Sequence, residues 1–395
     1  MSTAIPSARV DARALKSIAL QFWLNGAVFA AFVPRLPEVR DMLGITIDQL
    51  GQALTLASVG GLVGSLTIGK VIKRLQLKPT MLISACLICL LMPWLAFSTA
   101  MWQLVALLSL MMMLDVFVDV SMNIQASDLS ARQKTPVINR LHGLWSIGTV
   151  AGSISAGVAL SAGISLQMHL LLISGALAFA MVYIASGLKQ PVLLDEQTSQ
   201  STQKTPPHYT KYLMFLILGV CCILPEILPT DWAAFRLHDD LGEANNLAAL
   251  GYTTFATGMV IGRMSGDHVV SKVGAYQALI YGCVFSLVGL TLAFLIDTTD
   301  ASYAGLALAG LGASVFFPSI YDAAARANGN SASMLGAMTA GSRVAVLVAP
   351  AAIGWLAYQP SLNVGMAVAL FAMPAVLLLA WLSKPVFSLQ TIESD

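Results

Sequence analysis

Stretches of about 20 apolar residues recur along almost the whole chain, and each is long enough to cross a hydrocarbon core of about 30 Å as a helix. Twelve can be placed, at approximately 17–36, 49–71, 80–98, 102–127, 142–163, 166–187, 211–232, 247–270, 275–296, 302–324, 334–357 and 362–383. Only 10% of the 395 residues are charged and 57% are hydrophobic, against about 25% charged in an average soluble domain. The expected fold is therefore an all-α integral membrane protein of twelve transmembrane helices joined by short polar turns. The first stretch has full spanning length, so it reads as a span and not as a cleavable leader. A net charge of +1 gives no field for nucleic acid.

Lys and Arg divide unequally between alternate turns. Seventeen fall on one side, Arg35, Arg40 and Arg236 on the other, and Arg343 lies inside a span. The positive-inside rule then puts both termini and the 188–210 segment in the cytoplasm, as an even number of spans requires. That segment, rich in Ser, Thr, Gln and Pro, reads as a flexible linker. It separates two six-helix halves, 1–187 and 211–395. Gly61 and Gly69 before one basic turn match Gly258 and Gly266 before another, 197 residues later, which suggests two related halves with a site where they meet. Cys86, Cys89, Cys221, Cys222 and Cys283 all fall within apolar spans and read as small packing residues. No phosphate-binding GxxxxGK[ST] loop and no cluster with metal-ligand spacing is present, so neither cofactor nor metal is expected.

Ionisable residues inside spans are costly, at about 2.5–3.5 kcal/mol each at the helix centre, and imply a partner or a function. In the fourth span Asp115 and Asp119 share a face with Asn123. Two like charges one turn apart suit a proton site. In the seventh, Pro225 and Pro229 flank Glu226 and withhold backbone donors, so Glu226 should face a watery cavity; Asp231 lies further out. Arg343 needs an acid from another helix or an anionic ligand; Asp115, Asp119 and Asp322 are the acids considered. The first span carries Gln21 and Asn25 near Trp23, Phe22 and Phe29, and the tenth carries Phe316, Phe317 and Tyr321. Amides and aromatic rings in such positions suit a sugar-like solute, and interhelical packing is the alternative. His142 and Trp145 read as interfacial.

The segments PRLPEVRDMLGIT (34–46), DVSMNIQASDLSAR (119–132), NRLHGLWSIGTVAG (139–152), TDWAAFRLHDDLG (230–242), GRMSGD (262–267) and GLGASVFFPSIYDAAA (310–325) together resemble the major facilitator superfamily, and within it a YbjJ/MosC-like bacterial group. The resemblance implies two pseudo-symmetric six-helix bundles whose first, fourth, seventh and tenth spans line a central cavity. It also implies a multi-pass protein of the bacterial inner membrane and a sugar-, polyol- or amino-sugar-like solute. One segment departs from the family pattern: GKVIKRLQLKP has Lys73 where an acid is expected and Gln76 where a glycine is expected. The second-half counterpart keeps Arg263 and Asp267, four residues apart, as candidate gating residues.

The resulting expectation is a monomeric secondary transporter, not an enzyme, moving a small polar organic solute by alternating access. Protons are its expected coupling ion, through Asp115, Asp119 or Glu226. Gln21, Asn25, Phe29, Asn123, Phe316 and Tyr321 are the expected solute contacts. Arg343, Asp322, Arg263, Asp267 and Asp231 are the expected charge-pair or gating residues. Export of amphipathic metabolites, or ligand reception without transport, are the rival expectations.

Overall fold

The computed structural model describes residues 4–133, 138–188, 209–325 and 331–391, and these are helical with no strand among them. The helices are α1 (Ala4–Ala30), α2 (Leu36–Leu43), α3 (Ile47–Leu75), α4 (Leu77–Leu91), α5 (Met101–Gln133), α6 (Ile138–Ser161), α7 (Leu166–Gly187) and α8 (Tyr209–Phe235). After them come α9 (Asn245–Ala248), α10 (Leu250–Val273), α11 (Ala275–Leu295), α12 (Thr299–Ala313), α13 (Phe316–Ala325), α14 (Ser331–Ala357) and α15 (Val364–Thr391).

Among the described residues, eleven helical segments are long and apolar enough to span a membrane. The expected span at 247–270 is helical as α10 but is not one of them, because Thr253, Thr254, Thr257, Arg263 and His268 thin its apolar character. Several expected spans also differ from simple rods. The third ends as α4 and continues through a 3₁₀ turn, Met92–Phe97, with Pro93 at its start. The tenth breaks between Ala313 and Phe316, just ahead of Pro318, into α12 and α13. In the seventh, by contrast, both prolines are accommodated within α8, and the irregularity comes later, in a π turn at Arg236–Asp240.

The chain forms two compact units, Met1–Arg35 with Leu56–Thr202, and Leu36–Thr55 with Gln203–Asp395. The division crosses the sequence halves, since α2 and the first turns of α3 belong to the second unit.

In the first unit α1 lies against α6 because small residues face each other. A methyl group on Gly26 would overlap the carbonyl of Trp145, and methyls on Gly148 and Gly152 would overlap the carbonyls of Trp23 and Ala27. Such close backbone approach lets dispersion contacts hold helices together where no hydrophobic drive operates. Gly60 and Gly64 of α3 similarly admit the backbone of α5 at Ser109 and Met113.

The second unit repeats this plan. Gly219 of α8 and Gly341 of α14 meet the carbonyls of Met338 and Leu216, while Gly258 and Gly262 of α10 meet Ala307, Leu311 and Ser314 along α12 and just after it. The structural repeat is thus Gly60 with Gly258 and Gly64 with Gly262, a register of 198 residues and not 197. Gly61 and Gly69 face open space, so their sequence match with Gly258 and Gly266 does not mark equivalent contacts.

The same register pairs Gln76 with Gly274. Both precede a helix in an unusual backbone conformation, Gln76 at φ 67°, ψ 166° and Gly274 at φ 84°, ψ 156°. Gln76 is the one residue other than glycine with positive φ among the described residues. The glycine expected from the family pattern is thus one that the backbone requires, because a Cβ is strained in this region.

Candidate solute and proton site

Two sets of polar side chains occur inside the spans, one in each unit. In the first unit, α1, α5 and α6 converge on Asn25. Its amide nitrogen donates to Asp115 Oδ1 at 2.7 Å, and its oxygen accepts from the indole N–H of Trp145 at 3.0 Å. One turn along α5, the amide of Asn123 donates to the carbonyl and carboxylate oxygens of Asp119 at 2.9 and 3.1 Å. Each of the two neighbouring carboxyls is therefore matched with its own amide donor. Asp115, Asp119, Asn123, Asn25 and Phe29 are all half-buried.

Gln21 behaves differently from the expected solute contact. It is 1% exposed and lines a small pocket of about 20 Å³ with Leu24, Asn25, Cys89 and Val118. That volume accommodates about one water molecule. Gln21 lies one turn before Asn25 on the same face of α1, and there it is enclosed with residues of α4, α5 and α7, so it sits inside the bundle. His142 is exposed and packs edge-on against Phe22, ring centroids 5.2 Å apart. Trp145, expected as an interface anchor, instead fixes Asn25. An interhelical hydrogen bond of this kind leaves no sequence pattern, so spacing could not find it.

In the second unit the central feature is an ion pair. Arg263 Nη2 of α10 lies 3.1 Å from Glu226 Oε1 of α8, with side chains 25% and 20% exposed. The expected intrahelical partner, Asp267, has a side chain outside the described residues, and Arg263 reaches across to the acid beside the two prolines. Asp231, one and a half turns further along α8, is half-buried.

The aromatic residues of the tenth span divide by burial. Phe316 is fully buried, its ring facing Gly282 of α11, so it supports the fold and is not positioned to meet solute. Phe317 and Tyr321, one turn apart on α13, form the more accessible pair, stacked with centroids 5.8 Å apart at 24°. The restart of the helix at Phe316 sets this phase. Asp322 is exposed. Arg343 is exposed on α14, and among the described residues it makes no hydrogen bond or ion pair, within its unit, to any acid.

The second unit also contains an ionic cluster that reading the loops by charge missed. Arg236 is 1% exposed, pairs with Asp240 at 3.1 Å and Asp297 at 2.7 Å, and donates to the Ile296 carbonyl at 3.1 Å. Asp240 in turn accepts from the backbone N–H groups of Val364 and Gly365 at the start of α15, where the helix dipole favours an anion. Its neighbour Asp239 takes Arg40 of α2, whose guanidinium lies 5.4 Å from the Phe235 ring. The π turn makes this possible, because it points consecutive acids at different partners. The i, i+4 spacing of Arg236 and Asp240 was the available signal.

Paired small-residue helices, repeated units and half-buried carboxylates inside spans agree with the family reading, and a direct comparison decides it. The family model described as Major Facilitator Superfamily matches residues 18–233, more than half of the chain. The chain belongs to the major facilitator superfamily. As a major facilitator transporter with many apolar helices it is a multi-pass protein of the bacterial inner membrane and not an enzyme. An uncharacterized MFS-type transporter of Yersinia pestis is 28% identical over 358 residues, covering 88% of this chain and 90% of the relative. Membrane protein MosC of Rhizobium meliloti is 26% identical over 321 residues, covering 80% of this chain and 76% of MosC. Among solved structures, a point mutant of the nucleoside transporter NupG superposes with a TM-score of 0.74 at 13% identity, over 95% of this chain and all of that one. A D-xylose–proton symporter gives 0.72 at 13% identity, over 92% and 97%. At such identity these two show a shared fold.

Proposed function

We propose that this major facilitator transporter carries a small polar organic solute by alternating access and couples its movement to protons. The observation that carries the reading is the Glu226–Arg263 pair, a carboxylate inside the candidate span Tyr209–Asp240 and a guanidinium 3.1 Å away on the neighbouring helix α10. Neutralising the carboxylate removes the attraction that holds α8 to α10 at this point, and an uncompensated guanidinium then seeks water or another acid. Proton binding thereby acquires a mechanical consequence. Asp115, held by the Asn25–Trp145 relay, offers a second carboxyl in the other unit, with Asp119 beside it.

Solute contact is assigned to the more accessible groups of the same spans: Asn25, Phe29 and Asn123 in the first unit, and Tyr321 with Phe317 in the second. Related folds include a D-xylose–proton symporter and a fucose–proton symporter, which supports a hydroxyl-bearing solute and a proton as coupling ion. The six-helix halves on either side of the 188–210 segment are proposed as the moving bodies, with both chain ends cytoplasmic and a monomer sufficient for transport.

The test uses proteoliposomes containing an internal pH-sensitive dye. Counterflow of labelled sugars, polyols and nucleosides identifies a transported solute, and its addition should move protons in the wild type. Glu226→Gln or Asp115→Asn should abolish solute-dependent proton movement while leaving solute exchange in place. Full proton coupling retained in both variants would remove the basis for this assignment.

A further inference from the structure

Arg343 lies in the span Ser333–Ala357, about 15 Å along the helix from one end and about 21 Å from the other at 1.5 Å per residue. A guanidinium at that depth does not shed its charge, and it needs either a counter-charge or water. Within its unit it has no counter-charge among the described residues.

The surface of α14 indicates where it points. Val344, Val348 and Trp355 are 51%, 53% and 61% exposed and form one stripe, suited to acyl chains. Arg343 belongs to another stripe with Gly336 and Thr339, all exposed, about 130° around the helix at 3.6 residues per turn. A methyl group on Gly336 would meet no atom within 4 Å, so this stripe borders open space. The cation thus sits on the small and polar exposed face of α14, separate from the face that suits lipid.

We infer that Arg343 is a specificity-determining residue that binds an anionic group of the transported solute, a carboxylate or phosphate. A planar guanidinium with five donors matches such oxygens in bidentate fashion, and an incoming anion supplies the counter-charge that the unit itself lacks. The solute is accordingly an organic acid or acid-bearing sugar in preference to a neutral polyol. Arg343's role rests on the reading of the chain as a solute carrier, and it narrows the solute.

The full chain, purified in detergent, is tested with matched probes: D-glucuronate against D-glucose, D-galacturonate against D-galactose, and L-lactate against 1,2-propanediol. A ligand that binds the folded state raises the apparent melting temperature. At least one acid should stabilise the wild type, and its neutral counterpart should not. Arg343→Gln should weaken that acid's binding at least tenfold, with Arg343→Lys intermediate. No stabilisation by any acid, equal stabilisation by the neutral partner, or unchanged binding in Arg343→Gln each overturns the assignment. Acid-to-amide substitutions elsewhere that rescue a destabilised Arg343→Gln in the absence of probe also overturn it, because the counter-charge would then belong to the protein.

A second measurement needs no ligand. In a chain whose five native cysteines are replaced by serine, Arg343→Cys should react with a charged, membrane-impermeant thiosulfonate, and Val344→Cys should not. The reverse pattern places Arg343 against lipid and refutes its role. Acid binding without counterflow would defeat the transport reading and leave the anion assignment standing, whereas counterflow of neutral solutes alone would do the opposite.

Discussion

Gln76 occupies a backbone conformation that its own side chain penalises, and its counterpart Gly274 shows what the turn requires. At φ 67° and ψ 166° the residue lies in a region populated almost only by glycine, at a cost of about 1–3 kcal/mol for a residue with a Cβ. Replacing Gln76 by glycine removes that strain but raises the conformational entropy of the unfolded chain, which costs about 0.5–1 kcal/mol. Gln76 is exposed and α4 has no side-chain cap from it, so little packing is lost. The expected net gain is about 0.5–2 kcal/mol.

The reciprocal change tests the same physics in the other unit. Gly274→Gln introduces strain at φ 84°, ψ 156° and should cost about 1–3 kcal/mol. Both are read as apparent melting temperatures of purified protein in one detergent, with Gln76→Ala as a control that keeps the Cβ and should give no gain. Stabilisation of Gln76→Ala to the same extent as Gln76→Gly would refute backbone strain as the cause, as would a neutral Gly274→Gln.

Other consequences follow from the contacts described. Glu226→Gln should destabilise by about 1–3 kcal/mol, because the gross attraction, about 5 kcal/mol at 3.1 Å and an effective dielectric of about 20, is partly offset by desolvation; a cycle with Arg263→Met measured by melting should show non-additivity. Gly60→Ala and Gly258→Ala should each cost about 1–3 kcal/mol by overpacking against facing backbone, whereas Gly61→Ala, in open space, should be tolerated, as a comparison of folded yield and melting will show. Arg236→Gln should be the most damaging of the charge-removing changes, at about 3–5 kcal/mol, since it leaves Asp240 buried without its cation; melting should place it well below Arg40→Gln. Phe316→Ala should lower stability by about 3–5 kcal/mol, while Tyr321→Ala should leave stability nearly unchanged and raise the KM for a transported solute.

Helix placement was largely legible from the chain because lipid imposes one rule on every span: about 20 apolar residues with all backbone groups bonded internally. The same rule made the acids in spans conspicuous, and Asp115, Asp119 and Glu226 all turned out to have polar partners. The departure at Gln76 was visible too, though only as a mismatch with a family pattern; the positive φ supplied its meaning. The breaks within spans were harder to see. Pro225 and Pro229 lie inside a continuous α8, while the interruption in the tenth span falls near Pro318. Proline alone does not determine whether neighbouring groups can satisfy the backbone it leaves free.

Sequence by itself determined the membrane class, the approximate spans and the presence of ionisable groups within the bilayer region, because those depend on composition and local periodicity, while the superfamily was legible only as a resemblance carried by particular segments such as 119–132 and 310–325. Tertiary structure alone decided the partners: Trp145 on Asn25, Arg263 on Glu226, Arg236 between Asp240 and Asp297, Gln21 turned into the bundle, Phe316 buried and Arg343 exposed without an acid in its unit. The physical reason is that a helix presents each side chain in a direction 100° from the last. Which of those directions meets protein, water or lipid depends on helices distant in the chain, and the linear order of residues carries no record of that angle.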